Sequence, residues 1–216
     1  MYDIHAERSA GWSGLAFIVL LIAGFALAGL PPAANAAPVL DLAYVRSHAG
    51  GIVVGAWLGF LEAAFFLWFL VGLRAYLCRT SDPDEGLPLY IVVTGLFATA
   101  VALTADIASV IPVLAPVPLP SLPLAMAGSA LIAGIFVPMA LCPFLFACAH
   151  SIRRHATAPA WMAYLAYVAS FFMLLATLGI FGLNGALGPS GIVPLIAFIL
   201  FLIWMIVISV QMVNAA

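Results

Sequence analysis

Residues 192–213, IVPLIAFILFLIWMIVISVQMV, decide the class of fold to which this chain belongs. The stretch contains no charged residue, and at ~1.5 Å of rise per residue a helix of this length crosses the ~30 Å hydrocarbon core of a bilayer. Five further apolar stretches precede it, separated by short breaks that carry the turn residues and nearly all of the charge. We therefore predict six transmembrane helices, over residues 12–30, 51–76, 87–111, 124–151, 161–183 and 192–213.

The overall composition is typical of a protein surrounded by lipid. Apolar residues make up 67% of the chain and charged residues only 6%, whereas soluble domains carry about 25% charged residues. The mean hydropathy of +1.27 agrees with this assignment. The sequence therefore predicts an all-α fold, a polytopic transmembrane helix bundle, with residues 1–216 forming a single domain.

The arginines predict how the bundle is oriented. With six spans, five of the six arginines lie on the side that holds both termini, and only Arg46 lies on the opposite side. Positively charged loops stay cytoplasmic, so we expect both termini in the cytoplasm and the protein in the bacterial cytoplasmic (inner) membrane. The connection over residues 31–50 is then external, and we expect residues 39–45 to form a short helix at the membrane surface.

The first apolar stretch raises the alternative of a cleaved signal peptide. Residues 34–36, Ala-Asn-Ala, match the small residues of a signal-peptidase site. The apolar run before them, however, exceeds the ~7–15 residues of a signal-peptide core. We therefore expect this stretch to be retained as the first transmembrane helix.

The side chains that hold cofactors or nucleic acids are scarce in this chain. It has no lysine, which excludes a retinal or pyridoxal phosphate Schiff base, and no basic patch that would bind nucleic acid. No two histidines fall at facing positions where they would ligate a haem. The three cysteines, Cys78, Cys142 and Cys148, form no CxxC pair, so we expect packing roles and no metal site. No cofactor is predicted.

Two acidic residues, Glu62 and Asp106, lie inside apolar stretches, whereas every other acidic residue lies in a predicted loop or terminus. An ionised carboxylate at the bilayer centre costs roughly 2.5–3.5 kcal/mol on insertion scales. No basic residue falls in the same layer, so we expect both carboxyls to be protonated. Both are candidate catalytic residues, as a general acid or a proton relay. The alternative is a structural role, in which each donates to a backbone carbonyl freed near Pro or Gly.

Glu62 and Asp106 both fall in the outer half of the membrane, on helices that a short connection makes antiparallel neighbours. Small, aromatic and polar residues at similar depth are candidates to line a pocket around them, formed by helices 2 to 5. The alternative is that these residues only connect helices by packing and hydrogen bonds. The candidate ligand-binding residues are Trp57, Gly59, Phe65, Phe66, Trp68, Ser109, Ser129, Thr177 and Asn184.

Three stretches resemble a loosely defined family of uncharacterised six-helix bacterial integral membrane proteins. They are residues 11–17 (GWSGLAF), residues 66–77 (FLWFLVGLRAYL) and the last helix, which Gly-Pro-Ser-Gly at residues 188–191 precedes. The resemblance implies a fold and no activity. A similarity of chemistry connects the chain with membrane-embedded terpene cyclases, which also place acidic and aromatic residues in a small helical bundle. Those enzymes typically have seven helices, and no motif residue corresponds here.

These features together predict a pocket for a lipid or an isoprenoid-like ligand. A protonated Glu62 or Asp106 would act as general acid in a cyclisation or isomerisation, with aromatic rings stabilising a cation. Whether the protein is an enzyme stays open at this point. Two alternatives are a non-catalytic subunit of a larger membrane complex and a proton-coupled carrier. The expected partners are membrane lipids, and other membrane subunits or a second copy of the chain.

Overall fold

The computed structural model confirms the all-α fold. It describes residues 4–29, 38–79, 86–114, 121, 128–129, 131–182, 185–189 and 191–215. Within these residues, six helices are long and apolar enough to cross a membrane, so the chain is a multi-pass membrane protein. The helices are α1 (Ile4–Ala28), α2 (Pro38–Leu77), α3 (Leu87–Leu114), α4 (Val137–His155, preceded by a π-helical turn over Ile132–Phe136), α5 (Ala160–Thr177, followed by a 3-10 turn over Leu178–Phe181) and α6 (Ile192–Ala215).

The six helices pack in chain order and close into a ring. Each helix contacts the next one along the chain, and α6 returns to contact α1. In the half of the bundle nearer the termini, the centre of the ring is filled by fully buried aromatic side chains. Phe144 contacts both Phe66 and Trp204 with ring centroids 5.9 Å apart. Aromatic pairs of this geometry stabilise a core by more than the burial of their apolar area alone. The centre of this half is therefore closely packed.

Helix α2 differs most from the prediction. It begins at Pro38 and continues without a break to Leu77, so residues 39–45 belong to it and form no separate surface helix. Its 40 residues correspond to ~60 Å, about twice the hydrocarbon thickness. The first turns of α2, with Arg46, therefore extend beyond the hydrocarbon core.

Glycines allow α1 and α2 to touch through their backbones. A Cβ atom at Gly51 would fall on the carbonyl group of Leu27, 2.8 Å from its carbonyl carbon. A Cβ atom at Gly55 would lie 3.1 Å from the carbonyl oxygen of Gly24. Close approach through small residues is a common way for helices to pack in membranes, where lipid and protein are equally apolar. These glycines hold the C-terminal part of α1 close to α2.

The predicted orientation can be tested by cysteine labelling in a background without Cys78, Cys142 and Cys148. We expect single cysteines at positions 81 and 156 to react with an impermeant maleimide only from the cytoplasmic side, because five of the six arginines lie on that side. Cysteines at positions 37 and 118 should react only from outside. Position 156 lies in the connection after α4, and the other three positions lie outside the described residues. Opposite accessibility at positions 81 and 156 would contradict six spans.

Candidate functional site

Glu62 and Asp106 meet between α2 and α3. The carboxyl group of Asp106 occupies the space beside Gly59, where an added Cβ atom would lie 2.8 Å from Cγ of Asp106. Gly59 precedes Glu62 by one helical turn, and residues with that spacing are neighbours on one helix face. Both carboxyl groups line the same two cavities. The structure thus brings together the two acidic residues that the sequence singles out.

A cavity of about 160 Å³ extends from the two carboxyls toward Phe66 and Phe201, and we call it the inner cavity. Its walls come from α1, α2, α3, α6 and the segment that includes the π-helical turn and the start of α4. Apart from the carboxyls and Thr99, the walls consist of apolar residues, mostly alanine, leucine and phenylalanine. The phenylalanines are Phe17, Phe25, Phe66, Phe198 and Phe201.

An outer cavity of about 200 Å³ lies on the other side of Glu62 and Asp106. It follows α1 from Leu21 to Gly29, a distance of ~12 Å by helical rise. Gly29 adopts the left-handed conformation (φ 72°) that ends α1. Because both cavities are lined by both carboxyls, they adjoin at the acidic pair.

Three hydroxyl groups of the cavity walls donate to backbone carbonyls. Thr99 donates to the carbonyl of Gly95 at 2.9 Å, and Ser109 donates to the carbonyl of Asp106 at 2.7 Å. At the end of the outer cavity, Tyr44 donates to the carbonyl of Ala28 at 2.9 Å. None of these three hydroxyls therefore donates its hydrogen to a carboxylate.

The predicted ligand-binding residues divide between the cavities and other places. Gly59 and Phe66 line the inner cavity, and Ser109 and Ser129 line the outer cavity. Trp57 is 60% exposed on the outer surface of the bundle. It precedes Glu62 by five residues, and at 3.6 residues per turn that spacing places it on another side of the helix.

Phe65 and Trp68 line a separate groove of about 460 Å³ at the outer surface of α1 and α2. Trp68 donates its indole N–H to Oγ of Ser9 at 3.1 Å. This groove does not include either carboxyl. The structure thus separates these two aromatic residues from the acidic pair.

Helix α5 contributes no side chain to either cavity within the described residues. Thr177 donates to its own helix, at the carbonyl of Leu174, and Asn184 lies outside the described residues. The inner face of α5 presents fully buried alanines, among them Ala163, Ala166 and Ala169. These small side chains let α5 pack tightly against its neighbours. Of the expected helices 2 to 5, the second, the third and the α4 segment line the cavities, and α1 and α6 take the place of α5.

Sequence reasoning missed the walls formed by α1 and α6. Phe17, Leu21 and Phe25 follow each other at four-residue spacing, which places them on one face of α1. That periodicity was available in the sequence. It does not single out an inward face, because α1 and α6 are apolar on all sides. No polar face therefore indicates which side of either helix turns toward the interior of the bundle.

A π-helical turn directly precedes α4 and lines the cavities at the acidic pair. Ala133 belongs to this turn and lines both cavities. The adjacent Gly134 packs against Pro189, where an added Cβ atom would lie 2.7 Å from Cα of the proline. Single π-helical turns inside α-helices are frequent at functional sites, because they redirect side chains locally. The turn is therefore a third feature, besides the carboxyls and the cavities, that distinguishes this region.

Comparison of the chain with protein-family models, with curated proteins and with solved structures finds no match. The family resemblance stated above stays a prediction, since nothing in these comparisons bears on it.

Proposed function

We propose that this protein binds a lipophilic ligand within the membrane, with the polar group of the ligand at Glu62 and Asp106. One observation carries the proposal: the two carboxyls lie between two adjoining cavities whose other walls are largely apolar. Binding pockets are typically apolar with a few polar groups that orient the ligand. Ionisable residues inside the membrane commonly mark such sites. We also propose that the protein lies in a bacterial cytoplasmic membrane with both termini in the cytoplasm, which is the orientation that the arginine distribution favours.

The same arrangement supports acid catalysis as a second candidate function. The aromatic rings of Phe17 and Phe66 lie 5.0 Å apart on the wall of the inner cavity that Glu62 also lines. A protonated carboxyl beside them would transfer a proton to an alkene of the ligand, and the ring faces would stabilise the resulting carbocation. This chemistry would make the protein a cyclase or an isomerase.

The two remaining alternatives receive less support. A proton-coupled carrier needs a polar path to both faces, but below the inner cavity the described residues form the apolar cluster of Phe66, Phe144 and Trp204. A subunit of a larger complex predicts carboxyls that contact a partner chain or a backbone carbonyl. Among the described residues, no hydrogen bond to a backbone carbonyl involves Glu62 or Asp106.

The proposal predicts that filling the inner cavity will expel the ligand. Ala102 lines this cavity on α3, so Ala102→Phe should lower the amount of co-purifying lipophilic ligand. We expect at least an approximately fivefold loss, because overpacking a filled site costs about 1 kcal/mol or more. Mass spectrometry of organic extracts from the purified protein measures this amount.

Ala100→Phe is the matched control for this experiment. Ala100 lies on the same helix but is exposed on the outer surface, so its replacement should leave the ligand content unchanged. Equal ligand content in the two variants, with both proteins folded by their melting curves, would count against the cavity as a ligand site.

A further inference from the structure

We infer that the ligand of this cavity is a lipophilic ammonium compound, with its N–H donors at the acidic pair and its alkyl chain in the inner cavity. This inference rests on the proposed function and specifies the chemical class of the ligand. It follows from a count of hydrogen-bond donors and acceptors around the two cavities, and from the nature of the cavity walls.

Acceptors outnumber donors among the described residues that line the two cavities. Glu62 and Asp106 contribute four carboxyl oxygens, and each carboxyl offers one O–H donor when it is protonated. Thr99, Ser109 and Tyr44 have their hydroxyl hydrogens engaged by backbone carbonyls. No Arg, Lys or His side chain lines either cavity within the described residues. A ligand that complements this set must bring hydrogen-bond donors of its own.

Two acidic groups side by side also favour a cation over a neutral donor. The described walls offer no positive charge, so without a ligand we expect both carboxyls to be protonated. An ammonium group would supply that charge and up to three N–H donors at once, and a carboxyl that pairs with it would release its proton. A single hydroxyl would satisfy one carboxyl oxygen and would not compensate the charge of an ionised carboxylate.

The aromatic walls fit the same class of ligand. Phe17 and Phe66 lie beside the acidic pair, and ring faces attract ammonium groups through their quadrupole. Beyond these rings, alanine and leucine side chains suit an alkyl chain. The closed aromatic cluster at Phe144 and Trp204 marks the inner limit for that chain.

The test uses the full chain in phosphatidylcholine nanodiscs and two probes whose six-carbon chain suits a cavity of about 160 Å³, hexylammonium and hexanol. We expect the wild-type protein to bind hexylammonium at least about tenfold more tightly than hexanol, since charge-assisted hydrogen bonds contribute more than neutral ones. The variant Glu62→Gln with Asp106→Asn preserves the shape of the cavity and removes both acids. It should bind hexylammonium about tenfold more weakly and should bind hexanol as the wild type does.

The single variants test whether the two acids act on one ligand. Their separate losses in hexylammonium affinity should not add up to the loss of the double variant, because coupling is expected between residues that share a partner. Strictly additive losses would contradict a shared ammonium group.

The remaining outcomes separate the ligand class from the cavity itself. If both probes bind equally and the double variant changes neither affinity, the ammonium inference is wrong while the cavity proposal stands. If Ala102→Phe leaves the binding of both probes unchanged, the cavity is not the binding site, and the inference fails together with the proposed function. Ala100→Phe again serves as the control.

Discussion

Replacing Arg79 by methionine should lower the free energy of unfolding by about 3 kcal/mol, because it leaves a buried carboxylate without its cation. Glu7, at the start of α1, is only 1% exposed. Arg79 follows α2 and donates from Nε to Oε1 of Glu7 at 3.0 Å, and its Nη2 pairs with Oε2. The cost of removing one member of a buried pair comes mainly from the partner that stays behind.

The two members of this pair should differ in their effects. The Arg79 side chain is 28% exposed and lies over the ring of Tyr76, 5.4 Å from its centroid. Water and the ring would therefore continue to stabilise the guanidinium in Glu7→Gln, and we expect that variant to lose only about 1 kcal/mol. Tyr76 in turn donates to the carbonyl of Thr157 at 2.7 Å. The ion pair joins α1 to the end of α2, and Tyr76 joins α2 to the connection between α4 and α5.

Unfolding titrations with dodecyl sulfate in mixed micelles measure these differences. The double variant Glu7→Gln with Arg79→Met should recover most of the stability that Arg79→Met loses, because it removes the stranded charge. An equal loss in the two single variants, or no recovery in the double variant, would contradict this account of the ion pair.

Gly51→Ala should destabilise the protein by about 2–3 kcal/mol, while the same change at the neighbouring Gly50 should be neutral or stabilising. A Cβ atom at Gly51 would collide with the backbone of Leu27, which cannot move without shifting α1; overpacking of this kind costs about 1–3 kcal/mol. A Cβ atom at Gly50 meets nothing within 4 Å. Alanine there gains up to about 1 kcal/mol from its higher helix propensity.

The same unfolding titration compares the two glycine variants, each differing from the wild type by one methyl group. Equal stabilities would show that α1 and α2 do not approach each other as closely as the structure has them. The glycine contact also bears on the site, because Gly24 and Gly55 line the outer cavity. We therefore expect Gly51→Ala, but not Gly50→Ala, to lower the ligand content as well.

Much of the fold was predictable from hydropathy alone. Residues 192–213 and five similar stretches were enough to predict six helices, because an apolar run of ~20 residues measures directly how well a segment transfers into lipid. The start of α2 was not predictable in this way. It begins at Pro38 and not at residue 51. Outside the hydrocarbon core, the packing of the backbone determines where a helix begins, and hydropathy does not.

The acidic pair was predictable in part. Glu62 and Asp106 are conspicuous in sequence because ionisable residues are rare within apolar spans. Their meeting in one place depends on Gly59, whose missing side chain leaves room for the carboxyl of Asp106. No pattern within α2 or α3 specifies that contact, which exists only once the two helices have docked. The ion pair of Glu7 and Arg79 is likewise a product of docking between distant segments.

The rotation of each helix about its axis was decided by tertiary structure alone. In a soluble protein, a polar face marks the side that turns to water, and the opposite side forms the core. In lipid both sides are apolar, so the sequence determined that these segments are helices and that they cross the membrane, but not which side faces inward. Trp57 therefore lies on the outer surface while Phe198 lies on the cavity wall, because close packing between backbones and small residues, and not hydropathy, sets how the helices turn.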